Sequence, residues 1–204
     1  MARNCRHFTA GASGILAIVL SLGCQQDLPA GTERVWPTYS QDGQLDRVTY
    51  DRNLDGRPDA WLFLQGDQPQ RAELDENFDG QVDRWEHYEA APPGLPPAAG
   101  RGPLPRGTLV RAEQDRRGDG KVSRWETYSA GVLTAVKEDT TGDGRPDKWE
   151  QWADGVLQLI ALDTQGRGLP DRRLVYDTTG AAAAPRLELD EDGDGIFERQ
   201  PARR

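Results

Sequence analysis

Apolar residues in this chain come in small groups, separated by runs of Asp, Gly, Asn and Arg. The clearest group is W-E-T-Y-S-A-G-V-L-T-A-V, residues 125–136. Trp125, Tyr128, Leu133 and Val136 lie symmetrically about Ala130-Gly131. Trp149, Trp152, Leu157 and Ile160 lie in the same way about Asp154-Gly155. An X-Gly pair between matched apolar positions predicts a two-residue β-hairpin turn, because both turn residues need positive φ. The symmetry predicts that Trp125 faces Val136 and Tyr128 faces Leu133 across the hairpin. Trp and Tyr three residues apart fall on opposite faces of a regular strand, or on one face if a bulge intervenes. A helix would also bring residues three apart together, but the X-Gly centre favours the hairpin.

The group recurs. Acidic loops begin at Asp51, Asp75, Asp115, Asp139, Asp163 and Asp190, with spacings of 24, 40, 24, 24 and 27. The spacing of 40 is one period plus 16 residues within the Pro/Gly/Ala-rich stretch 90–107, whose composition suits an extended excursion. Counted from the first Asp of each unit, position 6 is always Gly, and position 11 is Trp61, Trp85, Trp125, Trp149 and then Arg173. Position 14 is Leu64, Tyr88, Tyr128, Trp152 and Tyr176. Trp36, Tyr39, Leu45 and Val48 form an opening half-unit with no acidic loop before it, as expected of a cap. The predicted fold is mainly β: tandem β-hairpin repeats of about 24 residues joined by Asp/Gly-rich loops, an elongated repeat sheet or solenoid-like array. The repeat domain spans 36–200, after a linker at 24–35 and before a basic tail at 201–204.

The loops carry the candidate chemistry. In D-E-N-F-D-G-Q-V-D-R-W-E, oxygen-bearing side chains fall at Asp75, Asn77, Asp79, Asp83 and Glu86, positions 1, 3, 5, 9 and 12. Hard cations such as calcium take oxygen donors at this alternate spacing, with Gly at position 6 for the sharp turn. The fourth loop offers Asp139, Thr141, Asp143, Asp147 and Glu150. The first offers Asp51, Asn53, Asp55 and Asp59, with Leu62 at position 12. The last offers Asp190, Asp192, Asp194 and Glu198. Arg117 and Ser123 degrade the third loop, and Arg167 the fifth. The pattern resembles the D-x-D-x-D-G calcium loops of EF-hands, dockerin modules and thrombospondin type 3 repeats. That resemblance implies calcium as the cofactor; it covers nine to twelve residues per unit, and a Trp-containing strand follows where an EF-hand has a helix. Asp, Asn and Gly also form ordinary turns without any metal.

Composition narrows the setting. The chain has 204 residues and a formal charge of −9, with a mean hydropathy of −0.77. An acidic chain of this kind disfavours nucleic acid and suits cations. Residues 1–23 begin with Arg3 and Arg6 and continue into the apolar run 15–20, too short to span a bilayer. They read as a secretory signal peptide. The ending S-L-G-C resembles a bacterial lipoprotein signal, which implies cleavage before Cys24, lipidation of Cys24 and anchoring in the cell envelope. With Gln25 next, the outer membrane is favoured where the host has one. Cleavage removes Arg3, Arg6 and no acid, taking the charge from −9 to −11. Only Cys5 and Cys24 are present, so the mature chain has no disulfide although it is exported.

These features point to a non-enzymatic envelope lipoprotein, a calcium-binding repeat module with a structural or surface-binding role. Its expected partners are the membrane through the lipid anchor, and a glycan or an envelope protein. A metal-free spacer or adhesion module is the alternative. A carboxylate-dependent glycan-active enzyme is a further class, but no carboxylate pair stands out from the repeat. His87 is the only histidine of the mature chain, and no phosphate-loop, zinc or nucleophile motif is present.

Overall fold

The computed structural model describes residues 34–66, 68–90, 107–176 and 185–199. The signal segment, Cys24, most of the linker, the insertion interior and the basic tail lie outside them.

Among the described residues thirteen strands follow one another: β1 (Val35–Tyr39), β2 (Leu45–Tyr50), β3 (Ala60–Gln65), β4 (Gln68–Leu74), β5 (Arg84–Ala90), β6 (Gly107–Gln114), β7 (Arg124–Ser129), β8 (Val132–Glu138), β9 (Lys148–Ala153), β10 (Val156–Leu162), β11 (Arg172–Val175), β12 (Arg186–Leu189) and β13 (Glu198–Arg199). They form a single antiparallel sheet in chain order, each strand pairing with the next. At about 4.8 Å per strand, the sheet runs roughly 60 Å across. The expected elongated, mainly β hairpin repeat is what the chain forms.

Connections alternate between the two ends of the strands, so every acidic loop falls along one long rim and the hairpin turns along the other. The turns have the expected geometry. Ala130 and Gly131 have φ of 49° and 79°, and Asp154 and Gly155 have 51° and 76°, the paired positive values of a type I′ turn.

Register corrects one expectation. Tyr128 does face Leu133, but Trp125 faces Lys137, and Val136 faces Glu126. The cause is a bulge that leaves Thr134 unpaired on β8. Gln70, Val110 and Gln158 are skipped in the same way in β4, β6 and β10. The extra residue moves positions 19 and 22 onto one face, with the aromatic at 14. Trp at 11 stays on the regular strand and takes the opposite face.

The sheet therefore has two distinct surfaces. On one, a cross-strand row reads Val48, Leu62, Ala72, Glu86, Ala112, Glu126, Val136, Glu150, Ile160. Its N-terminal end is the apolar core: Leu62, Leu64 and Ala72, with Leu45, Val48, Leu74 and Tyr88 packed against them. On the other surface a row reads Trp61, Glu73, Trp85, Glu113, Trp125, Lys137, Trp149. The Tyr and Trp of one unit thus do not stack together; they are separated by the thickness of the sheet.

Candidate metal centre: the acidic rim

Each of the first five acidic loops joins two adjacent strands through nine residues that have no strand partner of their own, and the sixth through eight. Their backbone N–H groups need acceptors, and the Asp side chains supply them. The position-1 carboxylate turns back into the loop. Asp51 accepts from the amides of Leu54 (2.6 Å) and Gly56 (3.0 Å). Asp75 accepts from Gly80 at 2.7 Å, Asp139 from Gly142 and Gly144 at 2.6 and 2.8 Å, and Asp190 from Gly193 and Gly195 at 2.7 and 3.1 Å.

Position 9 closes the loop from the other side. Asp59 accepts from Arg52 and Asn53, Asp83 from Glu76 and Asn77, and Asp147 from Thr140 and Thr141. Ser123 does the same for Arg116 at 3.2 Å, so the third loop keeps its turn without a carboxylate there. The fifth loop keeps both anchors, in Asp163 and Asp171. Most of these groups are almost fully buried, between 2% and 7% exposed for Asp51, Asp59, Asp75, Asp83, Asp139, Asp171 and Asp190. Burial raises the Asp139 carboxyl, but the amides of Gly142 and Gly144 and the Arg117 guanidinium outweigh it and hold it below the ordinary range. Asp115 and Asp163 are lowered by the same balance of burial against loop amides. For Asp147, burial opposes and the Thr140 hydroxyl and loop amides prevail.

Consecutive loops are also chained. The position-1 amide of each loop donates to the position-9 carbonyl of the one before: Asp75 to Asp59, Asp115 to Asp83, Asp139 to Ser123, Asp163 to Asp147 and Asp190 to Asp171, at 2.8–3.0 Å. The rim is one hydrogen-bonded line.

The remaining candidate ligands divide into two groups. Asn53, Asp55, Asn77, Asp79, Thr141, Asp143, Asp192 and Asp194 are exposed at positions 3 and 5; the Asn and Asp residues form Asx turns such as Arg57 N–H to Asp55 at 2.8 Å, and the Thr141 hydroxyl donates to Asp139 at 3.4 Å. Glu86 and Glu150, at position 12, lie in β5 and β9 on the sheet face. Arg84 Nε donates to Glu86 at 3.0 Å, and Tyr88 donates to the same carboxylate. Lys148 lies 2.8 Å from Glu150, which also accepts from the Trp152 indole at 3.0 Å. Glu198 begins β13, opposite Leu189. Among the described residues, three carboxylates come together in the sixth loop, where oxygens of Asp190, Asp192 and Asp194 lie within 4.8 Å of one another.

Two arginines act as tethered cations between loops, a role the sequence pattern did not reveal. Arg117 of the third loop reaches the fourth, with Nη2 3.0 Å from Asp139 Oδ2 and Nη1 3.1 Å from its carbonyl. Arg167 of the fifth loop extends over Gly193 of the sixth, so close that a Cβ there would lie 2.5 Å from Nη1. The arginines that degrade the third and fifth loops thus reach the loops that follow them.

No protein family matches the chain, and neither does any curated protein. Among solved structures, it is similar to part of a GtfA/B complex bound to UDP and GlcNAc, at 14% identity and a TM-score of 0.34 over 58% of this chain. It is also similar to part of the accessory secretory protein 1,2 and 3 structure of Streptococcus pneumoniae, at 14% identity and a TM-score of 0.29 over 64% of this chain. The chain spans about a fifth of the length of each, 22% and 19%.

Proposed function

We propose that this chain is a non-catalytic sheet module of the cell envelope, exported, lipid-anchored through Cys24, and stiffened by calcium on its acidic rim. The observation that carries the metal reading is the Asp190–Asp192–Asp194 cluster. Its donors are all carboxylate oxygens, two of the three residues are exposed, and such a set fits a hard divalent cation. The other loops offer one or two exposed donors beyond their buried anchors. Extracellular calcium modules commonly bind at roughly 10⁻⁴ to 10⁻³ M, and filling in that range suits a rim that stiffens outside the cell. A bound ion would also relieve repulsion along a rim of closely spaced carboxylates.

A structural, non-enzymatic role is supported by where the acids go. The position-1 and position-9 groups accept loop amides, and the strand glutamates pair with Arg, Lys, Tyr and Trp. His87 sits between Arg71 and Arg111 in its cross-strand row. The metal-free spacer reading has its own support: the loop anchors satisfy the turn amides with protein groups alone, and Arg117 and Arg167 already bring a cation to the fourth and sixth loops.

Calorimetric calcium titration of residues 24–204, with melting followed in parallel, separates the two. Saturable heat at millimolar calcium or below, a raised melting point, and loss of both in Asp192→Asn/Asp194→Asn support the rim as a calcium site. Silence in all three readouts leaves the spacer reading. Palmitate-analogue labelling that persists in Cys24→Ala would overturn the anchor.

A further inference from the structure

The Trp-bearing surface carries a second feature, which borders the rim at Pro146 of the fourth loop. Beside Trp125 lies an open groove of about 300 Å³, lined by Arg111, Trp125, Glu126, Thr127, Ala135, Lys137 and Pro146; the Glu126 carboxylate is held by Arg84, Arg124 and Tyr128. Register explains the grouping. Glu113, Trp125 and Lys137 are cross-strand neighbours in one row, and Arg111, Thr127 and Ala135 in the next. In a chain of charge −9, this groove is flanked by two cations. Arg111 is 55% exposed and shares its charge with Glu113 at 3.6 Å. Lys137 is exposed and, among the described residues, has no ion pair or hydrogen bond. The Trp125 indole N–H likewise has no acceptor among them.

The surroundings repeat the aromatic and arginine parts of the arrangement, with Glu73 and Glu113 where Lys137 stands beside Trp125. Trp61, Trp85, Trp125 and Trp149 stand on every second strand of one row, roughly 10 Å apart. Arg47, Arg71 and Arg111 stand on every second strand of the adjacent row, with Phe63 and His87 between them. The repeat distance is close to the length of an extended disaccharide. Indole faces stack on sugar rings, and Arg and Lys side chains bind carboxylates by charge-assisted hydrogen bonds.

We infer that this surface binds an extended acidic polysaccharide, with a sugar ring on Trp125 and a uronate carboxylate between Lys137 and Arg111. Charge complementarity selects the acidic over the neutral chain: stacking alone would suit either, but an unpaired ammonium beside the stacking platform favours a carboxylate. The inference does not depend on calcium at the rim.

Its test uses residues 24–204 in EDTA, so that calcium cannot bridge protein and polysaccharide. Affinity electrophoresis and calorimetry compare polygalacturonate with neutral dextran and xylan, and with a single-stranded oligonucleotide as a generic polyanion. Expected is saturable binding to polygalacturonate alone, weakened at least tenfold by Lys137→Glu and by Trp125→Ala. Lys137 is exposed, so Lys137→Glu should melt with the parent and report on binding even if Trp125→Ala folds poorly. Equal binding to dextran or to the oligonucleotide, no binding to polygalacturonate, or indifference to Lys137→Glu would each overturn the assignment.

Discussion

From β2 to β4 the inner row of the Tyr-bearing face reads Val48, Leu62 and Ala72; from β5 to β9 it reads Glu86, Ala112, Glu126, Val136 and Glu150. The backbone is the same and the burial is the same, since Leu62, Glu86, Glu126 and Glu150 are each 8% exposed. Only the chemistry differs. At the N-terminal end, apolar area removed from water holds the strands together. In the middle, each buried carboxylate is satisfied by a ladder. Arg84 bridges Glu86 and Glu126, Arg124 bridges Glu126 and Glu138, and Lys148 bridges Glu138 and Glu150. Tyr88, Tyr128 and Trp152 donate to the same three position-12 glutamates.

The two solutions teach different things about a repeat sheet. Apolar rows give stability but tolerate shifted pairings of near-identical units. Buried ion pairs contribute little net stability against an apolar replacement, yet a strand out of place leaves a carboxylate without its cation. The charged middle therefore specifies register, and the apolar end supplies the packing. The largest expected effect tests the second half of that statement. Leu62→Ala opens a cavity in the apolar cluster and should lower unfolding free energy by about 2–3 kcal/mol, measured by urea denaturation. A change below 0.5 kcal/mol, on the order of a neutral surface substitution, would mean that the cluster is not a core.

Acid distinguishes the two regions next. Burial raises the Glu126 carboxyl, but Arg124, Tyr128 and Arg84 outweigh it and bring it below its ordinary 4.5. Glu150 is lowered in the same manner, with Lys148 and Trp152 prevailing over burial. A carboxylate depressed in the folded state contributes stability that is complete above its unfolded value and is lost as pH falls through the folded one. The middle strands should therefore loosen below about pH 4.5, before the Leu62 end does. Glu126→Gln should reduce that pH dependence while lowering stability at neutral pH by about 1–3 kcal/mol. Amide exchange that rises first in β3 and β4 on acidification would contradict the assignment of roles.

Much of this was legible in the residues, and what was not has a physical reason. The period, the X-Gly turns at Ala130-Gly131 and Asp154-Gly155, and the acidic loops that join the hairpins follow from turn chemistry and spacing. The bulge was hidden because its unpaired residue is Gln70, Val110, Thr134 or Gln158, with no one side chain type shared by all four. That hidden residue moved Trp125 from Val136 to Lys137. The glutamates were ambiguous because Glu at position 12 fits both a calcium loop and a strand ladder. The resolving signal stands two residues earlier on the same strand face: Arg84, Arg124 and Lys148 accompany the glutamates, and Leu62, which replaces one, is preceded by Ala60. Arg117 and Arg167 read as damage within their own loops, since sequence spacing does not show that they serve the neighbouring loop.

The smallest effect concerns the fourth loop position. Gly118 and Gly142 sit there with φ of 67° and 88°, as do Gly166 and Gly193, whereas the first two loops place Leu54 at 66° and Phe78 at 63°. A left-handed conformation costs a residue with a Cβ roughly 1 kcal/mol or more relative to glycine. Leu54 is 58% exposed, so little burial offsets that strain. Leu54→Gly should therefore stabilise the protein by about 0.5–1 kcal/mol, seen as a small rise in melting point. Gly118→Ala is the mirror test: a Cβ there meets nothing within 4 Å, and the loss of stability would report backbone strain alone. Phe78→Gly should gain less than Leu54→Gly, because Arg52 lies 5.6 Å over the Phe78 ring and that contact would be lost. If Leu54→Gly destabilised, the Leu54 side chain would have to contribute more at the rim than its exposure allows, and the first loop would need a role that the later ones lack.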